Sequence, residues 1–241
     1  MSWKVQFQLR LSNLRNLVYL DYSHNGLKGP IPSELSSLKI LDCVAVSSNE
    51  LEGPIQGQLF NNFTQLRTLH LSGNKHNKLT GNLLPSFHRL SFLEELHFGN
   101  NVLNGAIPLS GGHLSKLQGL DLGGNVITAV VSENIFHNLT MLKSLYMGAN
   151  AGLVLNFSSA WDPPLQLHYL DLSSCVAGPR FSKWLWNQKY LYMLDISNGS
   201  IADNIPEWTL NVLVLDLSEN EMVVIIFPQS GETPCVQQLT L

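Results

Sequence analysis

The chain has 241 residues, 44% of them apolar and only 13% charged, with a formal net charge of −4. That charged share is about half the roughly 25% usual in soluble domains, so solubility rests on Asn, Ser and Gly, and there is no basic footprint for nucleic acid. No apolar run reaches the ~18–20 residues of a membrane helix, the N-terminal MSWKVQFQLRLSNL lacks the apolar core of a signal peptide, and Cys43, Cys175 and Cys235 show no metal-knuckle or paired spacing. Taken as a complete protein, the chain would stay in the cytosol with three free thiols.

A period of about 25 residues organises everything else. In chain order the motif appears as LVYLDYSHNGLKGPIP from Leu17, LDCVAVSSNELEGPIQ from Leu41, LRTLHLSGN from Leu66 and LEELHFGNNVLNGAIP from Leu93. It continues as LQGLDLGGNVI from Leu117, LKSLYMGAN from Leu142, LHYLDLSSC from Leu167, LYMLDISNG from Leu191, VLVLDLSEN from Val212 and VQQLTL from Val236. Asn25, Asn49, Asn74, Asn101, Asn125, Asn150, Cys175, Gly199 and Asn220 form one column, with gaps of 24, 25, 27, 24, 25, 25, 24 and 21. The 27 reflects three extra residues around Lys75 to Lys78. The N-terminal Phe7, Leu11 and Leu14 align on Ile31, Leu35 and Leu38.

Leu120 and Leu122 are two apart, so both face one side of a short strand while Asp121 faces the other. Stacked repeats then turn each Leu position into a continuous core. The Asn column sits where the chain turns inward, and an amide there can satisfy backbone groups of the neighbouring repeat. A thiol donates weakly and glycine not at all, so the ladder is expected to loosen at Cys175 and Gly199. In LKGPIP, LEGPIQ and LNGAIP, Gly permits a tight path, Ile fills the core and Pro ends pairing. A short helical or 3-10 segment then leads back to the next strand.

The pattern LxxLxxLxLSxNxLxGxIPxxLxxL resembles the plant-specific leucine-rich repeat, its GxIP half being the distinguishing part, over roughly Phe7 to Leu241. NLTMLKSLYMGAN, LVLNFSSAWDPPLQLHYLDLSSC, GPRFSKWLWNQK and LDISNGSIADNIPEW are similar to plant receptor-like proteins, in the branch of the ethylene-inducing-xylanase receptor and its disease-resistance relatives. The resemblance implies an α/β leucine-rich-repeat solenoid, a right-handed superhelix with a parallel concave sheet of about ten strands. It implies one domain over residues 1–241, a protein or peptide ligand, a co-receptor kinase and the extracellular side of the plasma membrane. Such proteins carry a signal peptide, cysteine-bearing caps and a membrane helix. None of these is seen here, so the chain is expected to be an uncapped internal fragment or truncated product, membrane-attached only through segments it lacks. The alternative is a soluble inhibitor of a microbial cell-wall hydrolase, similar to polygalacturonase-inhibiting proteins.

Two groups stand out on the concave face. His70, His97 and Asp121 fall on successive strands, where two imidazoles and a carboxylate can hold a divalent metal, sense mild acid, or simply face solvent. Tyr146, His168, Tyr169, Tyr192 and Met193 occupy outward positions of three neighbouring strands, and suit either ligand contact or cross-strand stacking. The remaining Asp residues of that column are expected to solvate the strands, and Trp184 and Trp208 to pack the flank. Asn62, Asn138, Asn156 and Asn198 begin N-glycosylation sequons, about as many as chance gives, and three of the four avoid the concave face. Nothing resembles a phosphate loop, nucleophile elbow or catalytic metal site, so no enzyme and no cofactor is expected.

Overall fold

The computed structural model describes residues 11–73, 78–82, 90–107, 114–223 and 235–241. Phe7, Asn74 and most of the insertion before Lys78 lie outside them. A ten-stranded parallel sheet runs through every repeat, from Tyr19–Asp21 through Glu95–His97 and Gly119–Asp121 to Gln238–Thr240. Each strand is three residues long, with its central residue turned inward. Leu20, Val44, Leu69, Leu96, Leu120, Leu145, Leu170, Leu194 and Leu215 lie opposite one another in register and are all buried. A one-residue slip would expose the whole column, which is why the register holds across ten repeats.

The Asn ladder does what an amide at a turn allows. The Asn49 Oδ1 accepts the N–H groups of Asn25 and Leu27 at 3.0 Å, and its Nδ2 donates to the Tyr22 and Val46 carbonyls. Asn125 and Asn150 repeat this toward Leu103 and Ile127. At Cys175 the ladder thins to one Sγ contact with the Met147 carbonyl at 3.4 Å. At Gly199 the backbone carbonyl takes over, accepting from Ala177 and Gly178. The strands stay paired at both places, Asp171 opposite Asp195 and Asp195 opposite Asp216.

The GxIP segments do more than end pairing: they form sheets of their own. Lys28–Gly29, Glu50–Pro54, Lys78–Asn82 and Val102–Asn104 make a four-stranded parallel sheet, and Thr128–Val131 pairs with Gly152–Leu155. Gly29, Gly53, Gly81 and Gly105 sit at φ of +86°, +90°, +105° and +81°, a region costly for side-chain-bearing residues, so glycine recurs there. The described return segments are 3-10 turns, such as Ser33–Ser37, Gly57–Asn62 and Lys183–Asn187. Among the described residues no helix is long and apolar enough to cross a membrane.

Candidate functional site

In a three-residue strand with its centre buried, the first and third residues both face the concave side. This places His70 opposite His97, and His97 opposite Asp121. The two imidazoles meet edge to face, centroids 4.4 Å apart. His97 lies between two carboxylates, Nε2 being 3.0 Å from Glu95 Oε2 and Nδ1 4.0 Å from Asp121 Oδ2. Burial, then the neighbouring His97, lowers the His70 pKa. Burial raises that of Asp121, opposed by the Gly123 N–H at 3.0 Å and by the Ser72 hydroxyl, which donates to Oδ2 at 3.4 Å. Among the described residues no three His, Cys, Asp or Glu side chains are grouped to hold a metal. The arrangement is an edge-to-face imidazole pair in which His97 bonds Glu95 while the buried His70 Nε2 has no hydrogen-bond partner among the described residues.

The tyrosine group spans three adjacent strands, with Tyr169 opposite Met193. Tyr169 packs on Tyr192 at 5.6 Å, while His168 packs edge-on against Tyr190 at 6.4 Å. Of the five residues Tyr192 is the most exposed, at 48%; Tyr146, His168, Tyr169 and Met193 are more deeply buried. Tyr146 instead joins His97, Asn100, Asp121, Gly123, Gly148 and Asp171 around an open concavity of about 330 Å³. Burial raises the Tyr146 pKa, and so do the phenol of Tyr169 and the carboxylates of Asp121, Asp171 and Glu95.

Glycines make that concavity possible. A Cβ on Gly99 would strike the Asp121 carboxylate, one on Gly119 the Glu95 carboxylate, and one on Gly148 the Asp171 carboxylate and Ser173 hydroxyl. The acidic side chains lie flat over bare backbone of the adjacent repeat. Glu95, Asn100 and these glycines were not singled out by sequence. Glu95 was accessible, being two residues before His97 on the same face. The glycines were not, because what they clear comes from the neighbouring repeat, 22–25 residues away.

The Asp column has a defined structural task. Asp21, Asp121, Asp171, Asp195 and Asp216 each accept the backbone N–H two residues on, at 2.8–3.0 Å. They close the strand exit as Asx turns, which is more specific than the solvation expected. Trp184 is buried against Phe157 and Trp161, and Trp208 packs against the core. Cys43 and Cys175 are buried and Cys235 exposed, all as free thiols; burial pushes the Cys175 thiol up to about 12. Asn62, Asn138, Asn156 and Asn198 are exposed.

The sequence profile of the Leucine Rich Repeat family matches residues 16–38. Receptor-like protein EIX1 of Solanum lycopersicum is 40% identical over 96 residues, covering 38% of this chain and 9% of that protein. The chain thus matches about a tenth of that relative's length. A TDR receptor superposes with a TM-score of 0.76 at 27% identity, over 89% of this chain and 37% of the other. The Arabidopsis receptor kinase HAESA, solved with the peptide hormone IDA and the co-receptor SERK1, gives 0.71 at 26% identity, over 87% and 35%. The chain is a leucine-rich-repeat solenoid, similar in sequence to plant receptor-like proteins and in fold to plant receptor ectodomains.

Proposed function

We propose that the chain is part of the ligand-binding ectodomain of a plant cell-surface receptor-like protein, recognising a protein or peptide on its concave face in defence signalling. The observation that carries this reading is the concavity at Asp121, Tyr146 and Asp171. It is open, glycine-floored and lined by acceptors, with the Tyr169–Tyr192 pair on the strands beyond. Rigid aromatic rings offer contact area at low entropic cost, and carboxylates suit the donor groups of a peptide. HAESA provides the analogy for partners, a peptide ligand and a co-receptor kinase. Plasma-membrane placement and the defence role are carried by the likeness to receptor-like proteins such as EIX1.

The test uses peptides selected from a random display library against the chain. Calorimetry then compares the enriched peptides on the unaltered chain and on a Tyr146→Ala, Tyr169→Ala, Tyr192→Ala variant. Loss of two aromatic anchors or more should weaken binding by about tenfold or more. Equal affinity for the variant overturns the reading.

A further inference from the structure

The second sheet changes character along its length. Its early strands carry charge, with Lys28 paired to Glu50 and Glu52 two residues on. The later strands, Thr128–Val131 and Gly152–Leu155, carry none. Here Val130 lies directly opposite Val154, and Val154 bridges Val176. Val131 and Leu153 turn into the core, so the three valines turn outward and are 62%, 37% and 40% exposed. Strands about 4.8 Å apart make them one continuous ridge of exposed methyl groups that a neighbouring group can cover.

The sequence supplies one at its edge. The Asn156 N–H donates to the Val131 carbonyl at 2.8 Å, extending the ladder one residue beyond the strand. Asn156 therefore points to the same side as Val154, two residues earlier, and it is exposed. Phe157 holds the following backbone in place, stacked on Trp161 at 4.8 Å and edge-on to Trp184 at 5.5 Å. Asn156-Phe157-Ser158 is a complete sequon.

We propose that Asn156 carries an N-linked glycan whose first sugars lie over the Val130–Val154–Val176 ridge, so that the chain's own carbohydrate covers this face. The inference rests on the extracellular placement proposed above. In the transfer, Asn156 Nδ2 gives up one proton and bonds to the anomeric carbon of a lipid-diphosphate-linked oligosaccharide. The anomeric C–O bond breaks, and the lipid diphosphate departs with the electron pair. The C–H faces of the pyranose rings and the N-acetyl methyl then meet the valines, while the hydroxyls face water.

The chain is secreted from plant cells behind a signal peptide, and site occupancy is read by glycopeptide mass spectrometry. Asn156 is expected to be occupied. Binding of a hydrophobic fluorescent dye should rise about twofold or more in Asn156→Gln and in Ser158→Ala, each of which removes the glycan. It should stay unchanged in Asn62→Gln. Adding Val130→Ser, Val154→Ser and Val176→Ser to Asn156→Gln should cancel the rise. An empty Asn156 beside an occupied Asn62 or Asn138 overturns the inference and leaves the extracellular reading standing; four empty sequons overturn both. An occupied Asn156 with no rise in dye binding shows that the glycan does not cover the ridge. A glycosylated dimer dispersed by Val154→Ser assigns the ridge to a second copy and overturns the proposal.

Discussion

The concave sheet and the second sheet are built from the same repeats, yet one is continuous over ten strands and the other is interrupted. The concave strands are bounded on one side by the buried Leu columns and on the other by the Asn ladder, so neither their length nor their register can drift. In the second sheet Leu51, Leu79 and Leu103 turn inward beside positive-φ glycines, while Val131 and Leu153, with the partly buried Ala129 and Leu155, turn inward from the last two strands. Between Asn104 and Thr128 its backbone pairing falls, among the described residues, to the Val126 N–H to Leu103 carbonyl bond. Between Gly199 and Asn220 the repeat is short, and no second-sheet strand is present among the described residues. Variation in repeat length is absorbed there, and the concave sheet keeps its spacing.

The sharpest way to break the contrast is Leu120→Ala against Val130→Ala. The first empties a fully buried position at the centre of the concave sheet and should cost about 3–5 kcal/mol in denaturant unfolding. The second trims an exposed side chain and should stay within about 0.5 kcal/mol. Comparable losses would refute the division of labour. Asn125→Ala removes bonds to the Leu103 N–H and to the Phe98 and Leu122 carbonyls, and about 2–4 kcal/mol is expected from buried groups left unpaired. Cys175→Ala, with its single long contact, should cost less than Asn125→Ala by the same measurement. Gly53→Ala should cost about 1–2 kcal/mol, from backbone strain alone, since its Cβ meets only Pro30 at 4.0 Å.

A smaller effect is set by pH. Burial lowers the His70 pKa from 6.5, so the folded state favours the neutral ring. The stability this gives is complete above pH 6.5 and is lost as pH falls below it, because the unfolded chain takes up the proton first. Asp121 is shifted upward from 3.8, so its contribution has the opposite sign, present below 3.8 and lost as pH rises through its folded value. His70→Gln is expected to flatten the thermal midpoint just below pH 6.5 and to leave the acid limb intact; an unchanged slope would show that His70 is not the titrating group. The smallest expected effect is on Tyr192→Ala, which should leave the unfolding midpoint unchanged. A marked drop would make the Tyr169–Tyr192 pair structural.

Much was legible from residue spacing. The Leu20 to Leu215 column, the Asn ladder and the placing of His70, His97 and Asp121 on successive strands follow from a two-residue strand alternation repeated at a nearly fixed period. The second sheet was not legible, because Lys28-Gly29 or Thr128–Val131 read locally as a turn or a short apolar run, and their pairing partners come from the next repeat. The ring contacts within the tyrosine group were not legible for a related reason. Spacing assigns Tyr146, His168, Tyr169 and Tyr192 to one face, and only the stacked repeats pair Tyr169 with Tyr192, set His168 against Tyr190 and place Tyr146 beside Asp121 in the concavity.

By itself the sequence determined the period, the inward columns and the outward residue between each pair of inward ones, since those follow from a two-residue alternation repeated along the chain. The tertiary structure alone decided which outward side chains share a space. Asp121 reaches over Gly99, Asp171 over Gly148 and Val154 beside Val130 only when repeats some 24 residues apart are stacked a strand's width from one another, and it is those cross-repeat clearances that shape the concavity and the valine ridge.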